Sequence, residues 1–269
     1  MAKDLLSGTD PYAAPLRDTV PYPLPVAIFG LPFVWANEAT ATDIFIGISI
    51  AVLVFYILNN RKPWRLLILA SAPLLSAVQT GQWSPLITAS WFLPGLSGLL
   101  VFVKPQTAIP IFLARFRRKD IVIGSCVLIG SLLVMPLWPL KWWQSTSDYT
   151  FTIVPILAPL GMLLLLSLFH FSKAEARLLF FLSLLPYRSI YDLTSLALIP
   201  QNAWQMFIYL IFSWIYPFSI SFWGIENAHI TLHLLCLIFI FISYTKDMPL
   251  KQVLFSMRYL QKHNNSQIL

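Results

Sequence analysis

Between Ser84 and Phe116 a long apolar run is interrupted by Lys104-Pro105-Gln106: a cation, a helix breaker and an amide in succession. A charge in hydrocarbon is costly and has to face protein, water or a ligand. Proline removes a backbone donor and clashes with the preceding turn, so the sequence predicts a helix break here. As one straight helix, residues 84–114 would be about 46 Å long, against a hydrocarbon core of about 30 Å. The run has to tilt, kink or split, and Pro94 and Pro105 are the candidate breaks.

The rest of the chain is of the same kind. Of its 269 residues, 58% are hydrophobic and 11% charged, whereas a soluble domain carries roughly 25% charged residues. A water-soluble fold of this length cannot hide so much apolar surface. The predicted class is all-α, a polytopic integral membrane helical bundle. The apolar segments are continuous rather than alternating, which argues against a barrel. About seven full spans are expected, over 40–58, 64–79, 84–114, 119–140, 151–171, 203–223 and 229–243, with broken or re-entrant helices besides. Residues 23–37 carry Pro23, Pro25 and Pro32 and are too short to cross, so they suit a helix in the interface. Segment 178–200 holds Pro186, Tyr187, Arg188, Tyr191 and Asp192 at its centre and reads as a kinked crossing or a shallow hairpin.

Charge distribution sets the orientation. Arg61, Lys62, Arg65, Arg115, Arg117, Arg118, Lys119, Lys173, Arg177, Lys246, Lys251, Arg258 and Lys262 fall on one set of loops and the tail, whereas the other side has Lys3, Arg17 and Lys141. The basic side is taken as cytoplasmic. For the tail to lie there, segment 178–200 must return to the side it left, which favours the hairpin. The expected organisation is an extracytoplasmic loop and interfacial helix over 1–39, a transmembrane core over 40–243 and a basic cytoplasmic tail over 244–269. An outside N-terminus with no earlier span suggests that a segment normally precedes residue 1. The basic residues flank apolar segments, so no nucleic-acid surface is expected. Cys126 and Cys236 lie in apolar runs and read as inert core thiols.

Three charged side chains are expected within membrane segments: Lys104, Arg188 and Asp192. Arg188 and Asp192 are four apart, so a helix would set them on one face, as a neutral locking pair or as an Arg that holds phosphate. Lys104 has no local acid, which leaves pairing with a distant acid, snorkelling, or a lipid-linked phosphate. Gln79, Gln82 and Trp83 surround Gly81 in an outer turn that suits a ligand rim. The outer aromatics, Tyr12, Tyr22, Trp35, Trp83, Trp142, Trp143, Tyr149 and Trp223, fit an aromatic belt or sugar stacking. Each outer acid, Asp4, Asp10, Asp18, Glu38, Asp43 or Asp148, taken alone reads as a solvated loop charge. His229 and His233 begin a span with no acid beside them and read as interfacial, and His170 as structural. No phosphate-cradling glycine loop and no zinc-type His pair with a Glu is found.

Four stretches together resemble the polyprenyl-phosphate-dependent membrane glycosyltransferases of the C type, most closely glycosyltransferase family 87. They are Leu6-Ser7-Gly8-Thr9-Asp10-Pro11-Tyr12 with Tyr22-Pro23-Leu24-Pro25 and Leu31-Pro32-Phe33; Gln79-Thr80-Gly81-Gln82-Trp83-Ser84-Pro85-Leu86; Lys104-Pro105-Gln106 followed by the basic cluster at 115–119; and Pro186-Tyr187-Arg188-Ser189-Ile190-Tyr191-Asp192-Leu193. The resemblance implies a sugar donor on polyprenyl phosphate, entering laterally, and an extracytoplasmic acceptor in a bacterial inner (plasma) membrane. Lys104 and Arg188 would bind donor phosphate. Gln82, Trp83, Gln106, Tyr187, Tyr191 and Asp192 would line the sugar site. Such enzymes usually have a first span and an acid-bearing outer loop that this chain lacks. The base would then be absent, replaced by Asp10 or Asp4, or supplied by another polypeptide. No cofactor is specified, and a carboxylate in such a site either takes the acceptor proton or holds a divalent metal. Two other readings stay open: a non-catalytic transmembrane subunit packed against partner chains, and a secondary transporter, which the lack of a repeat disfavours.

Overall fold

The computed structural model describes residues 1–13, 22–146, 153–187 and 189–244. The basic tail, Arg188, Asp18, Asp148 and Tyr149 lie outside the described residues. The helices are α1 (Ala2–Leu6), α2 (Leu24–Gly30), α3 (Glu38–Asn59), α4 (Ala72–Gln79), α5 (Ser84–Ala89), α6 (Leu96–Leu100), α7 (Pro105–Arg115), α8 (Arg118–Val134), α9 (Trp138–Thr146), α10 (Ala174–Leu184) and α11 (Ala203–Tyr244). Stretches of 3-10 helix cover Pro63–Ala70, Gly161–His170 and Ile190–Leu198. No strand occurs among the described residues, although Ile153 and Tyr187 exchange both backbone bonds, at 3.0 and 2.8 Å.

The all-α class is as expected, but the count of crossings is not. Among the described residues, three helices are long and apolar enough to cross a membrane: α3, and the Ala203–Ile220 and Asn227–Tyr244 arms of α11. A fourth crossing is available if α8 and α9, bent by 92°, serve as one. The expected number was about seven.

Local chemistry explains the shortfall. A residue before proline is pushed out of the helical region. Met135, before Pro136, sits at φ −148°, ψ 94° and ends α8. Leu185, before Pro186, sits at φ −103°, ψ 147° and ends α10, so segment 178–200 is broken at its centre. Lys104, before Pro105, sits at φ −140°, ψ 80°. With Gly95 at φ 97°, that breaks the 84–114 run into α5, α6 and α7. In 151–171, Pro155, Pro159 and a left-handed Leu160 leave a 3-10 stretch of 10 residues. At about 2 Å per residue it reaches about 20 Å, short of a hydrocarbon core of about 30 Å. In α11, Gly224 at φ 78°, ψ 162° interrupts the helix.

The bundle packs around leucine, isoleucine and small residues. α7 lies on α10, the 190–198 stretch lies against α4 and α5, and α6 crosses α8. Leu53, Ile87, Ile111, Leu178, Leu182 and Leu196 are fully buried in one cluster. Phe55 on α3, Val122 and Leu133 on α8, Phe169, Phe218 and Ile238 point outward. Apolar side chains on the outside of several long helices are what a lipid solvent permits. Two single-residue assignments change: Cys126 is exposed on α8, and His229 and His233 are fully buried rather than interfacial.

Lipid supplies no hydrophobic drive between helices, so association leans on close backbone approach at small residues. The α6–α8 crossing does so at Gly98, where an added Cβ would collide with the backbone carbonyl of Asp120. Gly130, also on α8, has open space around it. Gly98→Ala is therefore expected to lower unfolding stability in detergent by about 1–3 kcal/mol, the usual cost of overpacking. Gly130→Ala should be neutral or slightly stabilising. Thermal unfolding of the two variants beside the unsubstituted protein checks this, and equal Tm values for both would contradict the close crossing.

Candidate functional site

Proline at the first position of α7 needs no backbone partner and favours helix entry there. It leaves Lys104 as the N-cap. That placement is electrostatically adverse, because a helix N-terminus carries partial positive charge and disfavours a cation. The compensation comes from the 190–198 stretch. Asp192 Oδ1 lies 2.6 Å from Lys104 Nζ, and the side chains are 3% and 0% exposed for Lys104 and Asp192. Tyr191 places its ring 4.3 Å from the same ammonium. Cation and ring face attract one another most when water is excluded.

The third partner comes from the α4–α5 turn. Gly81 takes φ 65° there, and Gln82 N–H donates to Ala77 at 2.8 Å. Gln82 Oε1 accepts from Lys104 Nζ at 3.3 Å and from the Tyr22 hydroxyl at 2.9 Å. The contacts then continue towards the N-terminal segment. Tyr12 hydroxyl donates to the Tyr22 carbonyl at 3.1 Å. Asp10 Oδ1 accepts from Tyr12 N–H at 2.9 Å, and Asp10 Oδ2 pairs with Lys141. A continuous series of polar contacts thus runs from a partly exposed carboxylate to a buried ion pair.

The expected site residues separate into three groups. Lys104, Gln82, Tyr191 and Asp192 meet directly, with Gln106 half-buried in the adjoining turn of α7. Trp83 turns away and packs on Phe45 at 4.5 Å and Phe29 at 6.3 Å. There it lines a cleft of about 490 Å³ that Asp4 and Glu38 also border. Asp4 is bound to the terminal amine of Met1 at 2.7 Å. Tyr187 is 1% exposed and meets His233 edge-on, ring centres 5.3 Å apart, inside the helical core. Arg188 lies outside the described residues, and with it the expected Arg188–Asp192 pairing. Asp192's helical stretch begins at Ile190, and its ion-pair partner among the described residues is Lys104.

Tyr12 and Tyr22, which the sequence offered as belt or sugar-stacking aromatics, act as connectors. Sequence reasoning missed two buried charges, Asp120 at 0% and Arg65 at 4% exposure. Asp120 receives the Gly95 N–H at 2.5 Å, fixing the left-handed turn before α6. His229 and His233 hold one another and Tyr216: the Tyr216 hydroxyl lies 2.8 Å from His229 Nδ1, and His233 Nδ1 lies 2.9 Å from the His229 carbonyl. Among the described residues no three His, Cys, Asp or Glu side chains gather as a metal site. No protein-family model matches the chain, and no curated protein or solved structure does so either.

Breaking one half of a buried ion pair strands the other charge and costs about 3–5 kcal/mol, whereas removing both halves costs much less. Lys104→Met and Asp192→Asn are therefore each expected to be strongly destabilising, and the double variant to recover much of the loss. A double-mutant cycle by denaturation in detergent measures this, and simple additivity would refute the pairing.

A second expectation concerns pH. The hydrogen bond from Lys141 holds the Asp10 carboxyl below the usual carboxylate range, and the Tyr12 N–H adds to it. A depressed folded-state pKa contributes stability above the unfolded value of about 3.9 and loses it as pH falls through the folded value. Asp10→Asn should thus unfold at a lower temperature than the unsubstituted protein at pH 6, with the gap closing in stronger acid. A gap that widens on acidification would contradict the assignment.

Proposed function

We propose that the chain is a membrane glycosyltransferase that moves a sugar from a polyprenyl-phosphate donor to an extracytoplasmic acceptor. One observation carries the proposal most: a lysine ammonium at the N-terminus of a broken helix, bordered by an amide and an aromatic ring and joined by polar contacts to an acid near the surface. A helix N-terminus and a lysine together favour an anion, and phosphate is the anion of such donors. The sequence resemblance points the same way. The chain would lie in a bacterial inner membrane with its basic loops cytoplasmic.

In this reaction the bond between the anomeric carbon and the phosphate oxygen breaks, and a bond to the acceptor oxygen forms. The acceptor's proton passes to a carboxylate, and polyprenyl phosphate leaves with the bonding electrons. Lys104 neutralises the charge that grows on the leaving phosphate, which is where fixed cations act most. Asp192 is the counter-ion that the phosphate displaces or shares. Asp10, released from Lys141, is the candidate base, and Gln82 and Tyr191 orient the sugar.

A second reading is supported by a specific observation. The Lys104 ammonium already meets a carboxylate, an amide oxygen and a ring within the protein, as a structural pair in a non-catalytic subunit of a membrane complex would.

Proteoliposomes loaded with a polyprenyl-phosphate-linked radiolabelled sugar separate the two. The enzyme reading expects the label to move to an acceptor. It also expects Lys104→Gln in a still folded protein to lower kcat by at least about 10²-fold, the scale of losing one charge-stabilising donor. No transfer by the folded, unsubstituted protein, together with a stoichiometric membrane partner in mild detergent, would replace it with the subunit reading.

A further inference from the structure

α7 has a second cationic centre at its far end. Its 11 residues run from Pro105 to Arg115, a length of about 16 Å at 1.5 Å per residue. Lys104 stands at one end and Arg115 at the other. The two centres differ in one respect: the first has a carboxylate within ion-pairing distance, and the second has none among the described residues.

The second centre gathers on the turn at Trp91 and Phe92. Arg115 Nη1 donates to the Trp91 carbonyl at 2.6 Å and stacks on the Trp91 ring at 4.5 Å. Arg117 Nη2 reaches the same carbonyl at 3.3 Å. Arg65 lies beneath, its guanidinium carbon 5.5 Å from the Phe92 ring centre and 5.2 Å from Trp64. Arg177, from α10, donates Nε to the Ala114 carbonyl at 2.9 Å.

Arg65 is the anomaly. It is 4% exposed. Nη2 makes only long bonds, to the carbonyls of Leu198 at 3.4 Å and Pro200 at 3.5 Å. Nε and Nη1 are buried with no hydrogen-bond partner among the described residues. A guanidinium stays charged in proteins, and a buried charge without a counter-ion is expensive. Among the described residues, no carboxylate lies within ion-pairing distance of Arg65, Arg115, Arg117 or Arg177. Two acids are close by: Glu175 accepts from the Tyr244 hydroxyl at 2.9 Å, and Asp120 accepts through Oδ1 from Gly95 N–H at 2.5 Å, its Oδ2 having no hydrogen-bond partner among the described residues. Nε and Nη2 of a guanidinium form one edge that grips two oxygens of a phosphate in parallel, and Nη1 and Nη2 form the other.

We propose that the Arg65 site, at the basic end of α7, binds a phosphate oxyanion. Nε and Nη2 of Arg65 take two of its oxygens, Nη2 giving up its long carbonyl bonds, and Arg115 and Arg117 supply the outer positive charge. The ligand is phosphate chemistry from one of two sources, the headgroup of an anionic lipid or phosphate free in the aqueous phase. Basic pockets between helices on the positively charged side of membrane proteins accept lipid headgroups in this manner. The site is independent of any chemistry at Lys104.

Native mass spectrometry of the full-length protein, delipidated and then offered phosphatidylglycerol or phosphatidylcholine, tests the lipid source. Thermal unfolding in sodium phosphate against sodium chloride at equal ionic strength tests the free source. The expected result is several-fold greater retention of phosphatidylglycerol, or a rise in Tm in phosphate, lost in Arg65→Gln. Arg115→Gln should weaken it and serves in its place if Arg65→Gln does not fold. Arg118→Gln, an exposed charge on the same side, should leave it unchanged. A preference for phosphatidylglycerol alone assigns the lipid, and protection by phosphate alone assigns the soluble anion. Equal behaviour towards both lipids and both salts by the folded protein would overturn the proposal, as would equal losses in Arg65→Gln and Arg118→Gln.

Discussion

An ammonium enclosed among apolar helices needs a counter-charge, and the Lys104–Asp192 contact at 2.6 Å supplies it. Its consequences reach several elements. It joins the N-terminus of α7 to the 190–198 stretch, which packs against α4 and α5. It gives the α4–α5 turn a reason to present Gln82, whose oxygen accepts from Lys104 on one side and Tyr22 on the other. Through Tyr22 and Tyr12 it connects to the segment that carries Asp10. Without Asp192, Lys104 would stand at the positive end of a helix with no carboxylate within reach among the described residues, the least favourable place for it.

Much of the backbone was legible in the sequence, for a local reason. Proline acts on its own residue and the one before it, so the break at Lys104-Pro105 and the odd centre of 178–200 follow from the letters alone. Uninterrupted apolar runs did become long helices, as in α3 and the two arms of α11. The excess of expected spans came from the segments where hydropathy and backbone geometry disagree. Residues 151–171 are apolar enough to cross, yet Pro155, Pro159 and the left-handed Leu160 wind the second half into a 3-10 stretch. Mean hydropathy does not register a change of helix type.

The site was legible by residue type and not by partner. Lys104, Gln82, Tyr191 and Asp192 stood out singly because polar groups are costly in apolar runs. Their meeting depends on how three separate elements pack, which no spacing along the chain encodes. The Arg188–Asp192 spacing offered Asp192 a local partner, whereas the one it has among the described residues, Lys104, comes from a separate element. Arg65 was read as an orientation charge, since counting charges on a loop does not say which of them fold inward. His229 and His233 were assigned to the interface from their place at the start of an apolar run, whereas the Tyr216 contact that helps hold His229 joins the two arms of α11.

α7 also explains why its two ends behave differently. Arg115 sits where the helix carries partial negative charge, so the dipole favours it. Lys104 sits where the dipole opposes it. The adverse end is the one equipped with a carboxylate, and the favourable end has arginines held by carbonyls and the Trp91 ring. A carboxylate within the protein competes with an incoming anion, so an anion at Lys104 must displace or share Asp192. Beside Arg65, in the Pro63–Ala70 stretch, no carboxylate stands within ion-pairing distance among the described residues, although Glu175 is near. The proposed anion there would face weaker competition than one at Lys104, and the two places are expected to differ in affinity for that reason.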